Sequence, residues 1–418
     1  MEGAVSEDMI IVVAVSLACI LFHATMRKVG GQLVGVIHGL IWLIASTIYL
    51  YFQDRLISPS FAAVAIISTG IICFSFGCYL GGIYGPQPTE SKPPNQSNLQ
   101  LLIYVCIAAA GTIALWFRAN EILPLGEARN WLQDVRRIIN DQGGAGYGYA
   151  AYLANFGLAA TFLALLRCNG RIAWLIASLS LVFSLCSMIL LTGRTFIILL
   201  FVLVAVAMVC RSRNGVPKVY WVGALALCSI TALLLAAITI GQDREDMRNA
   251  SLLAGLEAHI LHYIPSAMAA FSIQVQNAEA LTYGQFSFRT VFAVLSKTGF
   301  DVEVISLVRP NVEVPFRTNV YTFFSPYYSD FGWLGVSIAS LLMGTLTGFT
   351  AKLRPTSSHP VIAIALAILM YAMILQFFQD QYMSLLSQWI QLIAVVTVLS
   401  LSSTWISWIR SRFVTSSL

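Results

Sequence analysis

The sequence predicts an all-α polytopic membrane protein, with about eleven transmembrane helices and one large exterior loop over residues 241–330. Three observations predict it. The 418 residues are 58% hydrophobic and only 10% charged, with a mean hydropathy of +0.78, where a soluble domain carries about 25% charge. Apolar stretches of the roughly 20 residues needed to cross the hydrocarbon core recur along the chain. Basic residues gather in alternate connections with almost no acids beside them, which marks the cytoplasmic side of a bilayer.

Taken in order, spans are expected near 9–26, 31–52, 59–81, 100–117, 146–166, 172–192, 195–210, 219–240, 331–351, 360–378 and 384–408. The first run follows Glu2, Glu7 and Asp8 rather than the basic segment of a cleaved signal peptide. Arg27/Lys28, Lys92, Arg167/Arg171, Arg211/Arg213/Lys218, Lys352/Arg354 and Arg410/Arg412 mark the cytoplasmic connections. The amino terminus is therefore expected outside, the carboxyl terminus inside, and 241–330 outside. Cys19, Cys73, Cys78, Cys106, Cys168, Cys186, Cys210 and Cys228 fall in spans or at their cytoplasmic ends, with no CxxC spacing. They read as packing residues, and no disulfide is expected. The net charge of +5 reflects the cytoplasmic connections and does not point to nucleic acid.

Residues 1–240 hold the first eight spans. His38 sits within the second and reads as a packed, hydrogen-bonded histidine. The Pro/Gly/Ser-rich stretch 82–99 reads as a flexible linker after a three-span unit. Between the fourth and fifth spans, near 126–141, Trp131, Leu132, Val135, Ile138 and Ile139 recur at helical spacing, with Arg136 and Arg137 on the polar side. An interfacial amphipathic helix is expected, either simply resting on head groups or using Arg136 and Arg137 to hold an anionic lipid-linked substrate. Leu191-Thr-Gly-Arg-Thr195 is a short turn that sets Arg194 at the amino end of a membrane helix. There it either snorkels to the interface or adds to the anion preference of the helix terminus.

Residues 241–330 carry Asp243, Arg244, Glu245, Asp246, Arg248, His259, His262, Arg289, Lys297, Arg309 and Arg317. A connection this long between membrane helices is usually functional. Leu252 to Ile264 predicts an amphipathic helix ending near Pro265; Met268, Phe271 and Ile273 suggest a second apolar piece, and Phe286 to Val294 a third. These pieces are expected to lie on the membrane and on each other. Phosphate-loop, HExxH and Asp-x-Asp signatures are missing, and Asp330-Phe-Gly332 matches the kinase triplet without any other kinase element. His259 and His262 lack a third ligand, so no metal site is expected. The remaining chemistry is a group of exterior arginines, Arg194, Arg244, Arg248, Arg289 and Arg317, suited to gripping a lipid pyrophosphate with paired donors. Asp243, Glu245 and Asp246 are equally ready to pair with Arg244 and Arg248. Residues 331–418 complete the chain with the last three spans.

Three stretches resemble the bacterial oligosaccharide repeat-unit polymerases, the Wzy or O-antigen polymerase family. One is Gly193-Arg194-Thr195 opening an apolar span. Another is Arg244 spaced ten residues from Gly255, an R-x10-G arrangement. The third is Thr318 to Gly335, with Gly344 and Gly348 following in the span. The general layout resembles the family over nearly the whole chain, although no second R-x10-G copy occurs in 118–145. The resemblance implies a cofactor-free, metal-independent glycosyltransferase of GT-C type in the bacterial inner membrane, with its site facing the periplasm. Its substrates would be two undecaprenyl-pyrophosphate-linked oligosaccharides, and a chain-length regulator is an implied partner. In that setting Arg194, Arg244 and Arg248, with Arg289, Arg317, Arg136 and Arg137, are the candidates to hold and stabilise pyrophosphate. Candidate bases for the acceptor hydroxyl are Asp243, Glu245, His262 and Asp330. Tyr321, Tyr327 and Tyr328 are suited either to stack on sugars or to anchor the interface. An O-antigen ligase shares this layout, and Thr318–Gly335 leans toward the polymerase. A lipid-linked sugar flippase would show repeat symmetry and midplane charge, which the sequence lacks.

Overall fold

The computed structural model describes residues 7–26, 32–85, 98–127, 131–141, 147–191, 194–211, 252–277, 280–306, 309–353 and 358–415. The described chain is helical almost throughout: α1 (Glu7–Thr25), α2 (Gln32–Tyr51), α3 (Phe61–Tyr84), α4 (Asn98–Ile122), α5 (Trp131–Asp141), α6 (Tyr149–Arg167), α7 (Arg171–Leu190) and α8 (Arg194–Arg211) come first. Then follow α9 (Leu252–Tyr263), α10 (Pro265–Asn277), α11 (Arg289–Lys297), a two-residue antiparallel ribbon β1 (Val312–Glu313) with β2 (Arg317–Thr318), α12 (Phe324–Lys352), α13 (Pro360–Ile374) and α14 (Leu386–Thr415).

Seven of these, α1–α4, α6, α7 and α12, are long and apolar enough to cross a membrane. The protein is therefore membrane-embedded and all-α. Three further apolar helices, α8, α13 and α14, coincide with expected spans but are shorter over the residues that qualify. The expected span 219–240 lies outside the described residues.

The chain forms two compact units that are not contiguous in sequence. One comprises Met1–Pro88, Ser251–Arg354 and Leu369–Ser387; the other comprises Thr89–Ala250, Pro355–Ile368 and Gln388–Leu418. The first unit is built on α3 and α12. Gly77 and Gly81 of α3 face Gly344 and Gly348 of α12, each four residues apart. An added Cβ at Gly344 would meet Phe74 O at 2.1 Å, and one at Gly81 would meet Thr345 O at 2.1 Å. Small residues at this spacing let helix backbones touch, which is how helices associate where lipid removes the hydrophobic drive between them. Gly35 and Gly39 of α2 repeat the device against α1: Gly35 lies under the His23 ring, and Gly39 against Ile20 and Ser16 O.

Several polar groups in this core are matched in pairs. His23 Nε2 lies 2.9 Å from Ser75 Oγ and 3.1 Å from Ser75 O. Trp42 Nε1, which can only donate, bonds Gln376 Oε1 at 3.1 Å. The same oxygen faces His38 Nε2 at 3.0 Å, so His38 carries its proton on Nε2. Gln376 Nε2 donates in turn to the Tyr382 hydroxyl at 3.2 Å. His38 is thus a packed, hydrogen-bonded side chain, stacked on Phe74.

α10 is the part of the 241–330 segment that differs most from expectation. It is inserted into the unit against α2 and α3 rather than lying on its surface. Pro265 opens it, where a missing N–H costs nothing. Ala267, Met268, Ala269, Ala270 and Phe271 are fully buried, and Ser272 Oγ accepts from Ser60 N at 2.7 Å at the start of α3. Its run of small residues fits between backbones, which an amphipathic surface helix does not need.

In the second unit α4, α6, α7 and α8 pack together. Gly111 approaches Leu153 O, Gly157 approaches Ala108 Cα, and Thr161 bonds Ser180 and Ser184. α5 is the helix expected near 126–141. Trp131, Val135 and Ile139, four residues apart, are buried, and the Trp131 indole donates to Leu123 O at the end of α4. The helix is therefore held by protein contacts as well as by its amphipathic character. The side chains of Arg136 and Arg137 lie outside the described set.

Replacing Gly344 by Val is expected to cost about 3 kcal/mol or more, since the added atoms meet backbone and force the helices apart. Gly255→Ala in α9 is the control: nothing lies within 4 Å of the new Cβ, and helix propensity favours it by up to about 1 kcal/mol. Thermal unfolding in detergent checks both. Equal melting points for Gly344→Val and wild type would remove the glycine contact as the basis of the unit.

Candidate functional site

The stretch Thr318–Gly335 runs from β2 into the kinked mouth of α12. Gly332 departs from helix geometry, with φ 62° and ψ −151°. Only glycine enters such a conformation without strain. The kink interrupts the i→i+4 ladder, and the Ser329 and Asp330 carbonyls accept from the backbone of Thr282 (3.0 Å) and Tyr283 (3.3 Å). A tight turn, residues 282–288, is thereby docked on the mouth of the helix.

Asp330 clamps the same turn from inside. Its carboxylate accepts from Thr282 Oγ1 at 2.5 Å, Phe286 N at 3.2 Å and Ser287 N at 2.6 Å, and the residue is fully buried. The turn includes Tyr283 at φ 48° and Gly284 at φ 98°. A non-glycine residue in the left-handed region carries strain, and the carboxylate offsets it. With its oxygens occupied in this way, Asp330 sits as a structural anchor rather than as a base facing a substrate.

Beside this clamp lies a small recess lined by Gln274, Leu281, Tyr328, Ser329 and Gly332. Its polar wall is an ordered network. Gln274 Nε2 donates to Ser329 Oγ at 2.7 Å, while Gln274 Oε1 accepts from Ser325 Oγ at 2.7 Å. Arg309 Nη1 donates to Ser329 Oγ at 3.1 Å, with the guanidinium stacked 3.6 Å above the Phe286 ring centre. Tyr328 is half-buried, its ring edge-on to Phe271. The recess thus offers two hydroxyls and an amide, with the Arg309 guanidinium behind it, bonded to one of those hydroxyls; none of the described residues lining it is a carboxylate.

The other expected site residues fall elsewhere or outside the described set. Asp243, Arg244, Glu245 and Arg248 are not among the described residues, and only the backbone of Arg194 is, as the first residue of α8. Gly255 of the R-x10-G arrangement lies mid-helix in α9 with open space around it. Arg289 opens α11 and donates through Nε to Ile305 O at 2.7 Å, holding an extended segment in place. Arg317 is exposed on β2. His262 packs its ring against Phe316. Tyr321 is buried and donates to Pro310 O at 3.1 Å. Tyr327 is buried and donates to Asp380 Oδ1 at 3.3 Å. Of the three tyrosines, Tyr328 alone lines the recess.

Asp380 is a second buried carboxylate and repeats the design of Asp330. It accepts from Tyr382 N, Ser384 N and Ser384 Oγ as well as from Tyr327. Burial pushes its carboxyl above the usual range, against the pull of those four bonds. Sequence reading singled out neither Asp380 nor Gln376, nor did it select Gln274, Ser329 and Arg309. The run Gln376-Phe-Phe-Gln-Asp-Gln-Tyr382 interrupts an apolar stretch, and polar residues there are the available signal. No protein-family model, curated protein or solved structure matches the chain.

Asp330→Asn replaces one acceptor by an amide that faces an N–H or hydroxyl donor. A loss of about 1–3 kcal/mol is expected, with faster hydrogen exchange at Tyr283, Phe286 and Ser287. Unchanged exchange at those amides would show that the turn is held without the carboxylate.

Proposed function

We propose that this chain is a membrane glycosyltransferase that joins lipid-pyrophosphate-linked oligosaccharide repeat units, a polymerase of the O-antigen type. One observation carries the reading. The stretch resembling those polymerases builds a polar recess, with an arginine beside it, at the mouth of a membrane-spanning helix. An amphiphilic substrate with an anionic linkage needs such a place: apolar surroundings for its tail, and donors where the tail ends.

The reaction places an acceptor hydroxyl against the anomeric carbon of the donor. The new glycosidic C–O bond forms as the bond to pyrophosphate breaks. The hydroxyl proton passes to a base, and the lipid pyrophosphate leaves with the bonding pair. Arginine donors stabilise the leaving charge in the transition state, worth several kcal/mol when they are fixed in a dry site. Arg309 is the guanidinium fixed at the recess, and Arg194, Arg244 and Arg248 remain candidates from the sequence. With Asp330 committed to its turn, the base falls to Asp243, Glu245 or His262. In this reading the protein sits in a bacterial inner membrane with the recess on the periplasmic side.

Purified protein supplied with its cognate undecaprenyl-pyrophosphate repeat unit in EDTA is expected to make a polymer ladder. Arg194→Ala and Arg244→Ala are each expected to reduce it by about 100-fold or more, the scale of losing one transition-state donor. A well-folded wild type that makes no ladder would overturn the reading. Glycan transfer to lipid A-core would then mark a ligase, and transbilayer movement of the unit alone a carrier.

A further inference from the structure

The recess has one polar and one apolar side, and the apolar side is continuous with the lipid-facing row of α12. Leu334, Ile338, Leu342 and Leu346 are exposed at four-residue intervals along that membrane-spanning helix. The row continues past the kink through Phe331, which is 40% exposed. A Cβ at Gly284 would lie 3.5 Å from the Phe331 ring and 3.0 Å from that of Phe288. From Phe288 an exposed stripe runs through Val291 and Val294 of α11. Leu281, 44% exposed, reaches to within 4.0 Å of a Cβ position on Gly332 and also lines the recess. The rim of the recess is therefore part of a surface that only lipid covers comfortably, with Tyr283 and Trp333 exposed beside it as interface aromatics.

Inside the rim the chemistry changes sign. Ser329 Oγ accepts from both Gln274 and Arg309, so its two lone pairs are occupied and its own proton is left to donate. Among the described residues nothing accepts that proton. The Tyr328 hydroxyl likewise has no hydrogen-bond partner among the described residues. Two hydroxyl donors beside a stacked guanidinium form an anion site. We infer that the recess binds the phosphate of a lipid head group, which enters sideways from the bilayer between Leu281 and the Gly332 kink. The inference deepens the polymerase reading by giving that site its anion, its hydroxyl donors Ser329 and Tyr328, the Arg309 charge behind Ser329, and its route.

The test uses the full chain in phosphatidylcholine nanodiscs, with thermal unfolding followed as phosphatidic acid is mixed in or inorganic phosphate is added to the buffer. Phosphatidic acid is expected to raise the wild-type midpoint, and inorganic phosphate at equal concentration to leave it unchanged. Arg309→Gln is expected to weaken the apparent phosphatidic acid affinity by about tenfold or more, and Ser329→Ala by about threefold to tenfold. Leu281→Asp leaves every polar partner in place but sets a like charge at the rim, and is expected to weaken lipid binding to a similar degree. Wild-type affinity in both Ser329→Ala and Leu281→Asp would overturn the inference, even if Arg309→Gln fails to fold. An equal response to inorganic phosphate would overturn the bilayer route and leave a site for a soluble anion. The probe carries no sugar, so lipid binding without a polymer ladder keeps this site and removes the polymerase. A ladder with unaltered phosphatidic acid binding in the variants does the reverse.

Discussion

Backbone contact between α3 and α12 is the constraint on which the first unit depends. A residue with a side chain at Gly77, Gly81, Gly344 or Gly348 would occupy the space now filled by a neighbouring carbonyl or backbone atom. In lipid no hydrophobic gain is available from separating helix from tail, so van der Waals contact at this distance supplies the association. The close approach has a further effect. It fixes where α12 begins relative to α2 and α3, and so sets Phe324 against Trp42, with ring centres 5.1 Å apart, and against Gly70. The mouth of α12, and everything docked on it, inherits that position.

Two buried carboxylates then convert a helix position into loop positions. Asp330 holds the 282–288 turn, and Asp380 holds the turn that carries Tyr382 and Ser384. Each accepts backbone N–H groups that would otherwise be buried without partners, a cost of roughly 1–3 kcal/mol per group. The Gln376 side chain links the second of these turns to α2 through His38 and Trp42. Rigid helices, anchored turns and a recess between them form a hierarchy in which the polar wall is positioned before any ligand arrives.

The helices were the legible part of the sequence. Apolar runs of bilayer length place the ends of α1–α3, α6 and α7 within three residues, and those of α4 within five, because hydropathy reports lipid contact directly. The break at Gly332 also falls beside the expected start of its span at 331. The insertion of α10 was not legible. Its run Ala267 to Phe271 reads as an apolar piece without saying what it is apolar toward, and burial against α2 and α3 depends on segments distant in the chain. The candidate site was legible as a stretch, Thr318–Gly335, but not as a set of atoms. Tyr321, Tyr327 and Tyr328 look equivalent in sequence, yet helix phase and the kink bury two and leave the third at the recess. Arg309 stood in the sequence as one basic residue among many; its stacking on Phe286 and bond to Ser329 are properties of the turn that Asp330 clamps. The paired Gly-x-x-x-Gly spacings at 35/39, 77/81 and 344/348 are a signal of helix contact that the reading of spans by hydropathy left unused.

The partners in the central glycine contact are made far apart in time. α3 leaves the ribosome roughly 270 residues ahead of α12, an interval of tens of seconds at about 5–20 residues per second. Throughout it the face bearing Gly77 and Gly81 is already in the membrane while its complement is still unsynthesised. Lipid chains, the insertion machinery or a neighbouring helix must cover that face provisionally and then yield it. The assembly of this protein is thus an exchange of one neighbour for another within the bilayer, and the small size of the glycine groove, too narrow to hold a side chain, keeps the provisional occupant easy to displace.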